Sequence, residues 1–329
     1  WWSFGASVAG VLLILGVGIM LWMKPEENGV WEGEKTVEPG IGQVVLTLGD
    51  GESMPLKRDT NRLIFGGTML QVRNERGTLV YSKIKSKEAS EKIVYNTLTV
   101  PVRERFQLVL ADGTKVFLNS GSEMRYPERF GKARREVFLK GEAWFEVAKD
   151  SAREFWVHAG AMDVKVLGTS FNVKAYERLE TVATTLVEGS VEVACAGKSF
   201  QIVPGEQFVY DKNNRVMDVR MVDTESYVSW KDGYYKFRQT TLEEIMETLS
   251  VWYGLNVFYV NESAKQVEFT GKVKRYEDAR MLLDKFEQTG DVVFDIKGNN
   301  VFITIKQKKP FAREWNSFLV KARGMVWQS

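Results

Sequence analysis

The chain holds one histidine, His158, and one cysteine, Cys195. Those are the residue types from which a nucleophile and its base could be paired. His158 sits in FWVHAG and Cys195 in VACAGK, and neither stretch carries a signature that sets a thiolate beside an imidazole. A lone histidine, here expected at a strand edge, reads as a structural or surface residue; a free cysteine behaves as a small hydrophobe. Glu142 and Glu146, four apart on one strand, share a face, and paired carboxylates are what sugar hydrolysis requires. Flanking a turn, they are expected to be solvated instead. Trp144, Trp156, Trp230 and Trp252 could stack on sugars, but at strand and helix spacings they read as core. Lys149-Asp150 reads as an exposed turn, and the glycine-rich turns lack the G-x-x-x-x-G-K pattern that cradles phosphate. A single histidine excludes His-pair metal motifs within this chain, and a single cysteine excludes an intrachain disulfide and a thiolate-rich metal site. No catalytic residue, no cofactor and no metal ligand is expected, so the chain does not read as an enzyme.

What the chain does carry is architecture. Its 329 residues suffice for two or three domains, and its 44% apolar and 27% charged residues are those of a folded protein. A net charge of +2 argues against a nucleic-acid binder, which concentrates basic residues. Trp1–Met23 has no charge before Lys24. As a helix those residues span about 34 Å against about 30 Å of hydrocarbon, with Trp1, Trp2 and Trp22 near the headgroup levels. The following MLWMKPEE offers no small-residue cleavage site. The expectation is a retained transmembrane helix over 1–23, followed by a linker over 24–42 rich in Gly and Pro.

An echo follows. VLTLGDGESMPL at 45–56 matches QLVLADGTKVFL at 107–118. Both run Leu-x-Leu-x-Asp-Gly with a further Leu five residues after the Gly, which predicts a related β-hairpin used twice, turning at Asp50-Gly51 and Asp112-Gly113. Residues 43–95 read as an N-terminal β-segment and 96–222 as the main β-domain, with turn signals every eight to twelve residues and no helical period between them. VFLKGEAWFEV at 137–147 reads as a hairpin turning at Gly141. The expected class is an all-β sandwich or solenoid-like fold. After 230 the pattern changes. Leu242, Ile245, Met246, Leu249 and Trp252 make one helix face, with a capping box at Thr240 or Thr241 and a stop at Gly254. Ala279, Leu282, Leu283 and Phe286 make a second. The order β-α-β-β-α-β-β over 230–305 predicts a small α+β domain. The 306–329 tail is basic, with Phe311, Trp315, Phe318 and Leu319 at helical spacing; it reads as a frayed end or as a surface-lying amphipathic helix.

LADGTKVFLNSGSEMRYP (110–127), VFLKGEAWFEV, VLGTSFNV (166–173), LVEGSVEV (186–193) and PGEQFVYD (204–211), in this order, resemble the FecR family of transmembrane anti-sigma regulators, in the form seen in Bacteroidetes-type bacteria. WKDGYYKFRQTTLEEIMETLSVWYGLNVFYV (230–260) and FTGKVKRYEDARMLLDKFE (269–287) resemble the family's C-terminal domain, which is similar to the secretin and TonB short N-terminal fold. The resemblance implies a single-pass protein of the inner membrane with its C-terminal part in the periplasm. It implies two partners: the signalling domain of a TonB-dependent outer-membrane transducer, and an extracytoplasmic-function sigma factor bound by a cytoplasmic region ahead of Trp1. It further implies control of iron or glycan uptake, often with regulated proteolysis. An exposed strand edge can take a partner strand by backbone hydrogen bonds, and the candidate partner-binding residues are Val267, Glu268, Phe269 and Thr270. The rival reading is a membrane-anchored periplasmic glycan-binding or envelope scaffold module, and a membrane-tethered hydrolase using Glu142 or His158 ranks below it.

Overall fold

Asp50-Gly51 and Asp112-Gly113 do what their chemistry dictates. Both glycines take a left-handed φ, +88° and +89°, and each donates its N–H to the leucine three residues earlier, Leu48 or Leu110. The computed structural model describes residues 42–57, 62–66, 70–75, 77–83, 93–275 and 278–306. The expected membrane helix Trp1–Met23, nearly all of the linker and all but the first residue of the basic tail lie outside the described residues. Among the described residues no helix is long and apolar enough to cross a membrane.

The strands are β1 (Val44–Thr47), β2 (Ser53–Leu56), β3 (Arg62–Gly66), β4 (Leu70–Glu75), β5 (Thr78–Lys83), β6 (Tyr95–Val100), β7 (Phe106–Val109), β8 (Lys115–Leu118) and β9 (Ser122–Pro127). They continue as β10 (Arg135–Glu146), β11 (Phe155–Ala159), β12 (Met162–Val166), β13 (Ser170–Ala175), β14 (Thr181–Glu188), β15 (Val191–Cys195), β16 (Lys198–Ile202), β17 (Glu206–Asp211) and β18 (Val216–Met221). One sheet has the order β2-β1-β6-β9-β10-β11-β12-β15-β16. The other runs β3-β4-β5-β7-β8-β10-β13-β14-β17-β18. One core lies between them, built from the first sheet by Leu46, Leu98, Met124, Leu139, Val157 and Val193, and from the second by Leu79, Leu108, Phe145, Phe171, Leu186 and Phe208. The body is a β-sandwich, and β1–β5 extend the same two sheets.

β10 belongs to both layers. Its residues up to Lys140 pair with β9 and β11, and those from Gly141 onward pair with β8 and β13. Gly141 is therefore not a hairpin turn. It is the corner where one 12-residue strand leaves the first sheet for the second. The corner needs glycine twice over: φ is +104°, and a Cβ there would sit 2.7 Å from Ser122 Cα.

Helix α1 (Thr224–Val228) and a 3₁₀ turn (Ser229–Asp232) lead out of the sandwich. β19 (Tyr234–Thr241), α2 (Leu242–Tyr253), β20 (Asn256–Tyr259), β21 (Glu268–Lys274), α3 (Ala279–Glu287), β22 (Val292–Lys297) and β23 (Asn300–Ile305) follow, in the expected order. Thr241 caps α2 by accepting from the Glu244 N–H, and Gly254 closes it in the left-handed conformation. β19 pairs with β21, while β20, β23 and β22 form a second small sheet. The apolar faces of α2 and α3 pack with Phe237, Phe269, Phe294 and Ile303 into a core of their own.

Candidate functional site at the domain junction

The residues named first for chemistry are not brought together. His158 is not at an edge. β11 lies between β10 and β12, and the ring stacks on Phe138 at 4.9 Å and on Trp156 at 6.2 Å. Its Nδ1 lies 2.7 Å from Asp163 Oδ1 and its Nε2 3.6 Å from Glu136. Cys195 faces the core, on the opposite side of the sheet from His158, and burial pushes its thiol pKa up, away from the reactive thiolate. Trp156 is not core either: it is half-buried on the outer face. Its ring neighbours are the sandwich's own side chains, His158 stacked on it and Lys165 5.6 Å from the ring centroid. Among the described residues no group of three or more His, Cys, Asp or Glu could hold a metal ion.

Glu142 overturns the expectation of a solvated turn residue. It is 8% exposed, because the strand does not turn at Gly141 and the small domain lies over it. Its carboxylate accepts from Asn119 Nδ2 and from Asn172 Nδ2, each at 2.8 Å. Burial is the main cause of a pKa above the ordinary glutamate value, opposed by Lys174 and by the two amides. Glu146 is half-buried in different company, 3.2 Å from Trp144 Nε1 and 3.7 Å from Lys115. The two carboxylates have separate partners and make no acid–base pair.

Glu142 is part of a larger junction between sandwich and α+β domain. Cross-strand pairing aligns Phe117, Trp144, Asn172, Thr185 and Gln207 in one row across β8, β10, β13, β14 and β17. The row lies on the outer face of the second sheet. Trp144 nevertheless packs in the small domain's core, with Phe117 and Val187 against it, and Asn172 Oδ1 accepts from Trp230 Nε1 at 3.3 Å. The end of α2 is also held by the sandwich. Ser120 Oγ donates to the carbonyls of Val251 and Trp252 at 3.1 and 3.3 Å, and the Arg103 N–H donates to Trp252 O at 3.0 Å. A helix leaves its last carbonyls without partners of its own; here another domain supplies them. Arg105 donates to the Lys231 carbonyl, and Lys174 pairs with Glu247 at 3.7 Å. Ser120 O in turn accepts from the Tyr176 hydroxyl at 2.8 Å. Beside this contact lies an open cleft of about 480 Å³, bordered by Val102, Ser122, Lys140, Tyr176, Arg178 and Val251.

Reading the sequence alone misses this junction, although a signal is present. A strand with one wet face should alternate, yet β14 reads VATTLV without a charge over 182–187 and is buried at five successive positions. The candidate partner strand sits elsewhere. Val267 precedes β21 and its carbonyl accepts from the Leu242 N–H. Phe269 is buried and meets Phe286 edge-on at 4.9 Å, while Glu268 and Thr270 are exposed. One edge of β21 is taken by β19. Its other edge carries no ladder among the described residues.

Residues 96–192 match the family described as FecR protein, and residues 234–303 match the one described as FecR, C-terminal. Two crystal structures of a candidate anti-sigma factor from Parabacteroides distasonis ATCC 8503 are similar to this chain, with a TM-score of 0.58 each. They are 28% and 27% identical to it, covering 64% of this chain and 98% and 99% of theirs. No curated protein matches it.

Proposed function

This chain belongs to the FecR family of anti-sigma factors, and from that premise we propose that it relays an envelope signal across the inner membrane to an extracytoplasmic-function sigma factor. The apolar run Trp1–Met23 is the anchor in this reading, and the sandwich and α+β domain stand in the periplasm. The α+β domain is the receiver. Its partner is the signalling domain of a TonB-dependent transducer, and the edge of β21 that carries no ladder among the described residues is the docking strand. A sigma-binding region ahead of Trp1 completes the relay.

The observation that carries the reading is the pairing of two family regions, in order, in one chain whose histidine is stacked on Phe138 and held by Asp163 and whose cysteine is buried in the sandwich core. The output of such a protein is a change of contacts, which requires a partner that prefers one of its arrangements.

Two measurements test it. Deleting the chain should change transcription by one extracytoplasmic-function sigma factor and leave others alone; unchanged transcription from all of them overturns the reading. Purified transducer signalling domains should bind saturably and slow hydrogen exchange along 268–274. Binding with the protection confined to β22 would move the docking strand, and absence of binding to every signalling domain of the same genome would remove the transducer from the scheme.

A further inference from the structure

The junction carries features that a permanently closed interface has no reason to keep. Arg103 holds a left-handed φ of +67°, a conformation that costs a non-glycine residue energy and persists only when its surroundings enforce it. The enforcing contacts are its N–H bonds to Trp252 O and Ser120 Oγ, both 3.0 Å. Glu142 is a carboxylate buried away from water, with a partner amide, Asn172, that is itself tied to Trp230. In the connection, the hydroxyls of Ser226 and Ser229 are buried without a hydrogen-bonding partner, which is uncommon in a relaxed native interior. Gly233, at φ +86°, ends that connection.

We propose that the junction is a releasable latch: the receiver's α2 is clamped by its C-terminal carbonyls onto Arg103 and Ser120, and the receiver swings away as a folded unit about the 222–233 connection. The Arg103 backbone, the Glu142 carboxylate and the two serine hydroxyls are strained, desolvated or unpaired in the closed state and are relieved in an open one, and Gly233 gives the connection a freely turning end. The clamp also has a route into the sandwich. Ser122 Oγ, two residues from the clamp, accepts from the Glu142 N–H at 2.8 Å and lies 3.1 Å from the Glu142 carbonyl, as its donor. That is the strand corner at Gly141, so release of α2 reaches the one strand shared by both sheets. The use of this motion in signalling rests on the relay reading; the motion itself does not.

The test is native-state hydrogen exchange on the full chain. Ser120→Ala removes the hydroxyl of the clamp and leaves the Arg103 N–H bonded to Trp252 O, and Trp230→Phe removes the indole N–H that ties the connection to Asn172 while keeping an aromatic ring. Each should speed exchange of the Arg103 amide about tenfold. The amides of Met246–Leu249 inside α2, and of Val137, Val157 and Val193 in the sandwich, should stay slow. An Arg103 amide that exchanges at the rate of the sandwich core in the parent and both variants overturns the latch. So does joint loss of protection at Arg103 and Met246–Leu249, which would mean that the receiver unfolds rather than swings. The transcription measurement above can succeed while this one fails, and the reverse, so the two readings fall separately.

Discussion

Two buried charged residues show how much a single side chain is asked to do here. Arg135 is fully buried, and its guanidinium donates to the carbonyls of Ala148 and Arg153 as well as to Asp112 Oδ2 at 2.9 Å. Asp112 is the turn residue of the second hairpin, so one carboxylate both caps the Thr114 N–H and neutralises an arginine in the sandwich. Removing one partner of a buried pair leaves an uncompensated charge, which costs about 3–5 kcal/mol. Asp112→Ala should therefore lower the unfolding free energy by about that much in chemical denaturation, against under about 1 kcal/mol for Asp50→Ala, whose turn is exposed. Equal effects would mean that Asp112 matters only as a turn residue. Glu142 behaves differently with pH. Its pKa in the fold is raised, chiefly by burial, so the folded state holds the proton more firmly than the unfolded chain. Its contribution is complete below the ordinary value of 4.5 and is lost as pH climbs from there through the folded value. Subtracting the denaturation curve of Glu142→Gln isolates this group: the parent should lose stability relative to the variant as pH rises through that window. Parallel pH profiles would show that Glu142 is as ionised in the fold as in the free chain.

The strand corner at Gly141 is where local pattern and long-range packing part company. Gly141→Ala meets both a positive φ and the backbone of Ser122 at 2.7 Å. The first costs about 1–2 kcal/mol, and the overpacking about 1–3 kcal/mol more. Gly160, at φ +62° with nothing within 4 Å of where an alanine methyl would stand, should show the first effect alone. Thermal melts of the two alanine variants check this, and equal losses would mean that the corner yields to a methyl group. The same contrast explains what is legible in the sequence. The Asp-Gly turns, the Thr241 cap and the two amphipathic helices are readable because each is fixed by residues within a few positions of one another. A glycine between two strands and a glycine inside one strand look alike at that range. Only the simultaneous pairing of β10 with β9 and β11, then with β8 and β13, distinguishes them. The burial of Glu142 escapes a local reading for the same reason: it comes from Asn119, Asn172 and a domain that begins almost ninety residues later. His158 reads as an edge residue because FWVHAG contains nothing that reveals a parallel neighbour at Arg135–Phe138.

At the scale of the whole molecule, sandwich and α+β domain each have a core, but they are not independent solids. Trp144 grows from the sandwich and is buried in the α+β domain, and Thr185 and Gln207 are buried at 1% and 3% exposure on what would otherwise be a wet sheet face. A shared tryptophan couples the fates of the two domains, and substitution of that residue should change sign with context. In a chain ended at Val222 the row from Phe117 to Gln207 faces water. Phe117 and Trp144, with Val187 beside them, are its apolar end, and an exposed apolar patch promotes association, so the shortened chain should bind a hydrophobic dye and self-associate, and Trp144→Glu should suppress both. In the full chain the same glutamate would be forced into the core of the α+β domain, where burying a charge is disfavoured and where Lys231, 5.8 Å from the Trp144 ring centroid, is already paired with Asp232. There it should loosen the α+β domain and raise dye binding. Dye fluorescence and sedimentation of the four proteins test this. If Trp144→Glu acts with the same sign in both chains, the outer face of the second sheet is not what the α+β domain covers, and the coupling of the two domains rests on the α2 clamp at Ser120 and Arg103 and on the 222–233 connection.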